Sequence, residues 1–130
     1  DARVGRPLAE GMRQFDAKPD PSNETVYAFS LGTNDGPTNT TALENAVKRS
    51  TSKGCAVWST IVRPPVGGTS YDGINSALNG LASNRVKVVQ WASQVASNRS
   101  WIAGDGVHGT PTGYRNRAAL YAAAIKTCSG

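Results

Sequence analysis

A chain of 130 residues that is 38% hydrophobic and 18% charged has the size and composition of one globular domain. Its longest apolar runs, residues 26–31 and 118–125, fall far short of the ~20 residues that a bilayer-crossing helix needs, so no α-helical membrane span is expected. The formal net charge of +5 comes from Lys and Arg in runs no longer than two, without aromatic interleaving; this charge names no partner and gives no sign of a specific nucleic-acid interface.

Taken in chain order, Asp1-Ala-Arg-Val4 reads as the tail of a strand that ends in a loop at Gly5. Pro7 suits the first turn of a helix that places Leu8, Met12 and Phe15 on one face. Residues 26–32 read as a buried strand. Thr41 and Glu44 have capping-box spacing and open a second helix carrying Leu43, Ala46 and Val47. Residues 55–62 read as another strand, Tyr71, Ile74, Leu78 and Leu81 form a third amphipathic stripe, and residues 86–91 form the last strand. The final helix starts at Thr110-Pro111, turns Tyr114, Leu120, Tyr121 and Ile125 inward, and ends at Cys128. Apolar runs alternating with helical periodicity predict an α/β fold, a parallel sheet with crossover helices, in one domain spanning 1–130.

Cys55 and Cys128 are the only cysteines, without the close spacing of a metal or redox site. They fit either of two states. A long-range disulfide would close a loop of ~70 residues, stabilise by roughly 3–4 kcal/mol and suit an exported protein. Two buried thiols would suit a cytoplasmic one.

In a parallel sheet, ligands bind beyond the carboxyl ends of the strands, so the loops there carry the candidate chemistry. His108 is the only histidine, and any imidazole general base must be this residue. Asp105, three residues earlier, is placed to reach the ring nitrogen that faces away from a substrate and so to set the tautomer. A lone histidine near Gly and Thr also fits an ordinary solvated loop. Asn34, in the turn Gly32-Thr-Asn-Asp-Gly36, offers a side-chain amide donor for a developing oxyanion, although Asn, Asp and Gly are also what a tight turn needs for its own backbone. Gly5 allows close backbone approach and exposes its N–H in the same two senses.

In this order the segments resemble the SGNH (GDSL-like) hydrolases. Leu31-Gly-Thr-Asn-Asp-Gly36 is similar to the family's third block, Asp105-Gly-Val-His108 followed by Gly109-Thr-Pro-Thr-Gly-Tyr114 to its fifth, and Asp1-Ala-Arg-Val-Gly-Arg6 to its second. The resemblance runs from residue 1 to the final helix. It implies a three-layer α/β/α, flavodoxin-like sheet, with His108 and Asp105 catalytic, Asn34 and the Gly5 N–H as the oxyanion hole, and no metal or organic cofactor. The opening Asp-Ala-Arg-Val-Gly-Arg, Trp91-Ala-Ser93 and the Asp-Gly-Val-His-Gly-Thr ending look most like extracytoplasmic SGNH domains that act on O-acylated cell-envelope polysaccharide. That implies a secreted or extracytoplasmic protein with an acyl-ester substrate.

One block is missing. The family's nucleophile lies in a Gly-Asp-Ser after the first strand, and no Gly-Asp-Ser or Gly-x-Ser-x-Gly elbow occurs here. Ser30 and Ser59 fall inside strands and Ser70 in a flexible loop, so none replaces it well. The implied strand order 2-1-3-4-5 would lose its middle strand. Because neighbouring strands lie ~4.8 Å apart, a gap of roughly 10 Å lined with unpaired backbone would open. This absence and the opening Asp1 lead to the expectation of an N-terminally truncated or cleaved portion, with the missing strand supplied by a separate segment, a second chain or a rearranged sheet. The competing expectation is a non-catalytic carbohydrate-binding or interaction domain that uses Trp58, Trp91, Trp101 and Tyr71 as stacking surfaces.

Overall fold

The structure, a computed structural model, describes residues 6–18 and 26–128. Strands β1 (Val26–Ala28), β2 (Cys55–Ser59) and β3 (Val86–Val89) pair in parallel in the order β1-β2-β3. The central strand is buried along its whole length, which accounts for its unbroken Cys-Ala-Val-Trp run. Alternation along it feeds two cores. Ala56 and Trp58 face a core shared with Tyr27, Phe29 and Val86, while Val57 faces one shared with Val26 and Val89.

Helices cover both faces. α1 (Leu8–Asp16), α2 (Thr40–Ser50) and α3 (Asp72–Asn79) pack on the first core, and α4 (Trp91–Ser97), a 3-10 turn (Arg99–Trp101) and α5 (Pro111–Thr127) on the second. The mixed α/β architecture expected from the sequence is thus present. In the first core Phe29 stacks on Trp58 at 4.6 Å, and the buried indole N–H of Trp58 donates to Ser50 Oγ at 3.0 Å, so the large ring is buried without an orphaned donor.

Several boundaries differ from the sequence expectation. All three strands are shorter: the last rungs are Phe29 N donating to Val57 O and Thr60 N donating to Val89 O, and the chain then leaves the sheet to form the loops at its carboxyl end. Trp91 starts α4 rather than ending a strand, and stacks on Trp101 at 6.0 Å. The cap of α2 is Asn39, whose side chain accepts from Ala42 N at 3.3 Å, in place of the Thr41–Glu44 box. Pro7 is the N-cap of α1 rather than its first helical residue, and Leu81 lies beyond the end of α3. In α5, Tyr114 and Ile125 do not turn inward; they are 49% and 39% exposed.

Long-range polar contacts lock these elements together. Lys53 Nζ donates to Phe15 O at 2.8 Å, to Asp16 O at 3.2 Å and to Lys18 O, supplying a cation to the carbonyl end of α1. Tyr121, on α5, donates its hydroxyl to Phe29 O at 2.6 Å, and burial pushes its phenol pKa up. Arg117 lies over the rings of Trp91 and Tyr121 at 5.7 and 5.3 Å.

The start of α5 depends on one absent side chain. A Cβ on Gly113 would lie 1.9 Å from Trp101 O, so the helix and the 3-10 turn meet backbone to backbone. Gly113→Ala is therefore expected to cost about 3 kcal/mol or more, measured by urea unfolding. A loss below about 1 kcal/mol would contradict this packing.

The disulfide reading of the cysteines holds. Cys55, the first residue of β2, is bonded to Cys128, the C-cap of α5, across a separation of 73 residues. Among the described residues no helix is long and apolar enough to cross a membrane.

Candidate active site

His108 lies in a loop closed upon itself. An antiparallel bridge joins Ile102 to Gly109, Ala103 N donates to His108 O at 2.8 Å, and Gly106 N donates to Ala103 O at 3.0 Å. Gly106 takes the turn at φ +72°, a conformation that favours glycine. Inside this frame Asp105 uses both oxygens. Oδ1 accepts from the backbone N–H groups of Val107 and His108, each at 2.9 Å, and Oδ2 lies 2.6 Å from His108 Nδ1.

The backbone N–H of Val107, then the imidazole and the N–H of His108, hold the Asp105 carboxyl down at about 2 from an ordinary 3.8. An ionised Asp105 only accepts, so the neutral imidazole carries its proton on Nδ1 and presents a lone pair at Nε2. Among the described residues Nε2 makes no hydrogen bond, and the His108 side chain is 66% exposed. Because the folded value lies below the ordinary one, the pairing contributes fully above pH 3.8 and is lost as pH falls through about 2. A carbon-13 titration of the Asp105 carboxyl is expected to show a midpoint near 2, still depressed in His108→Ala because the largest cause is the Val107 N–H. A midpoint at 3.8 in the native protein would contradict the geometry.

Asn34 occupies the turn after β1, closed by Asp35 N donating to Gly32 O at 3.2 Å, with Gly32 at φ +103°. Its side chain is exposed and, among the described residues, makes no hydrogen bond. The neighbouring Asp35 does structural work that sequence reasoning missed. Its Oδ2 accepts from Leu8 N at 2.9 Å, satisfying a free donor in the first turn of α1, and its carbonyl accepts from Tyr71 Oη at 2.7 Å.

The segment after β2 joins the two loops. Arg63 donates through Nη1 to Thr33 O, beside Asn34. The next residue, Pro64, would lie 3.0 Å from a Cβ on Gly106, beside Asp105. Asn75 on α3 holds this segment by accepting from Ile61 N at 2.7 Å and donating to Ile61 O at 2.9 Å. Asn34 and the Asp105–His108 pair thus stand on loops at the same, carboxyl, end of the sheet, braced against residues 61–64. Of the two oxyanion-hole donors expected from the sequence, Asn34 and Gly5, the second lies outside the described residues.

The chain's own serines leave the nucleophile unassigned. Ser30 is exposed two residues past the end of β1, Ser59 is buried and donates to Thr60 O, and Ser70 accepts from Asp72 N at the start of α3. Trp58, Trp91 and Tyr71 are buried, and Trp101 is half-buried against Trp91, so these rings build the cores rather than a sugar-stacking surface. No protein-family model matches the chain, and no curated protein matches it.

Proposed function

We propose that this chain supplies the histidine–aspartate pair and the oxyanion hole of an SGNH-type serine esterase or acyl transferase, whose nucleophilic serine comes from outside these residues. The observation that carries the reading is the pairing of Asp105 with His108 Nδ1 at 2.6 Å, in a closed loop that leaves Nε2 open at the carboxyl end of a parallel sheet. An imidazole held this way is suited to take the proton of an attacking hydroxyl and to return it to the leaving oxygen. The serine Oγ bonds to the acyl carbon, the carbonyl electrons move onto oxygen, and the Asn34 amide with the Gly5 N–H receives that charge. Collapse expels the alcohol, which takes its proton from Nε2, and water or a second hydroxyl then releases the acyl group. These steps need no metal or organic cofactor.

The motif resemblance around Asn34 and His108 supports the finer assignment. β1, β2 and β3 would be the third to fifth strands of a flavodoxin-like SGNH sheet, with the nucleophile strand added along the outer edge of β1. Phe29 N donates to Val57 O, so the preceding residue turns its N–H and C=O away from β2; among the described residues β1 pairs on that one side only. A Cys55–Cys128 disulfide suits an oxidising, extracytoplasmic setting, and the substrate proposed is an acyl ester on a cell-envelope polysaccharide. The test is turnover of a short-chain ester by the chain extended with the residues encoded immediately before it. Turnover that survives His108→Ala ends the proposal.

A further inference from the structure

A cavity of about 250 Å³ opens at the amino end of the parallel sheet, opposite the end that carries His108. The last turn of α2 gives it Val47 and Lys48, the segment after α3 gives Leu81, Ser83 and Arg85, and Val86 begins β3. Val47, Leu81 and Val86 make its wall apolar, and among the described residues no acidic side chain lines it. The polar groups around that wall have donors to spare. Lys48 makes no side-chain hydrogen bond or ion pair among the described residues. Arg85 Nη2 donates to Thr51 O at 2.7 Å, which caps the carbonyl end of α2 and fixes the guanidinium while its other N–H groups keep no acceptor among the described residues. Ser83 Oγ accepts from Arg85 N at 3.1 Å and from Val86 N at 3.2 Å, so its hydroxyl proton is left to be donated.

We propose that this cavity is a binding site for a small monocarboxylate with an apolar body, separate from the acyl-transfer site and independent of that reading. The lining sets the sign of the ligand. Two cations and a hydroxyl surround one concavity without a carboxylate among them, which concentrates positive potential over a low-dielectric wall and favours an anion. The volume sets its size. A cavity of roughly 150 Å³ holds a benzene ring, so this one has room for a ring-sized body with a carboxylate attached. The body rests on Leu81, with Val47 and Val86 behind it, and leaves water as it does so. The carboxylate accepts from Lys48 Nζ, the free guanidinium N–H groups of Arg85 and Ser83 Oγ. A free inorganic anion lacks the body, and a neutral apolar molecule leaves both cations unpaired.

Benzoate is the probe, with benzyl alcohol as the same body without the charge and acetate as the charge without the body. In nitrogen-15 spectra of the whole chain, benzoate is expected to move the Lys48, Ser83, Arg85 and Val86 amides with a Kd on the order of 1 mM, and to leave Gly109 in place. Lys48→Gln and Arg85→Gln should each weaken it about fivefold or more, and both control molecules should bind about tenfold or more weakly than benzoate. The two cations are exposed and lie on separate elements, so a fall in Tm that discounts one variant leaves the other to decide. Benzoate that moves none of these amides, or that binds both variants as tightly as the native chain, overturns the proposal. So does parity with a control: acetate binding as tightly would mean an adventitious ion only, and benzyl alcohol binding as tightly would mean an apolar depression that does not read charge.

Discussion

Replacing His108 by alanine is expected to lower kcat for a short-chain acyl ester by on the order of 10³-fold or more in the chain extended to include its nucleophile, with KM little changed. The size follows from the role. Without an imidazole at this place the attacking hydroxyl keeps its proton and the leaving alkoxide departs unprotonated, both costs borne in the transition state. His108 is the only histidine among these 130 residues, so none of them offers a second imidazole. Its side chain is 66% exposed and its partner Asp105 is held by backbone N–H groups of its own, so the variant should fold with the loop intact. Asp105→Asn makes a sharper comparison. Its amide keeps the shape but donates to Nδ1, which moves the ring proton to Nε2 and removes the base; a comparable fall in kcat is expected. A kcat within tenfold of native for either variant would remove the pair from the chemistry.

The second large effect is on stability. Reduction of Cys55–Cys128, or Cys55→Ser with Cys128→Ser, is expected to cost about 3–4 kcal/mol and to lower Tm by about 10–15 °C. The bond closes a 73-residue separation and ties the end of α5 to the start of the central strand. α5 needs that tie. Gly113 is its only fully buried residue, and Leu120, Tyr121 and Ala124 pack on the second core while only partly buried. Hydrogen exchange should therefore rise first over residues 120–128 on reduction. A Tm shift under about 3 °C would show that packing alone holds the helix.

The parts of the molecule legible in the sequence are those governed by local pattern. Leu8, Met12 and Phe15 recur at helical spacing and are all buried on α1, and the continuous apolar run at Cys55 is the strand buried on both faces. Asp105 and His108 were legible together because a three-residue turn with glycine inside brings a carboxylate to Nδ1. What local pattern could not supply was the partner of each group. Asp35 reaches Leu8 across 27 positions, Arg63 reaches Thr33 across 30, and Lys53 reaches the end of α1 across 35 to 38. The Arg63-Pro-Pro65 run after β2 was the available hint, since a residue before proline is driven to an extended conformation and so could carry the chain along the top of the sheet.

α5 shows the limit of periodicity most clearly. Leu120, Tyr121, Ala124 and Cys128 pack against the sheet, and Tyr114 and Ile125 fall on one flank of that stripe by helical periodicity. The pattern marks all of them as apolar but not how far the neighbouring sheet extends beneath the helix. That extent is a tertiary fact, and it leaves Tyr114 exposed beside His108 instead of in the core. Asn39 and Thr41 present a smaller case. Both are good caps two residues apart, and the earlier one is used because its side chain reaches Ala42 N.

Whether Asn34 and His108 serve one reacting centre is read in a phosphonate adduct on the extended chain, by nitrogen-15 spectra of the two side chains. A fluorophosphonate that bonds to the nucleophile leaves a tetrahedral oxygen in the place of the oxyanion, where donors should lie about 2.7–3.1 Å away. On labelling, the Asn34 side-chain amide and the His108 ring are expected to shift together. An adduct that leaves both resonances where they were, or no adduct at all, contradicts a shared centre.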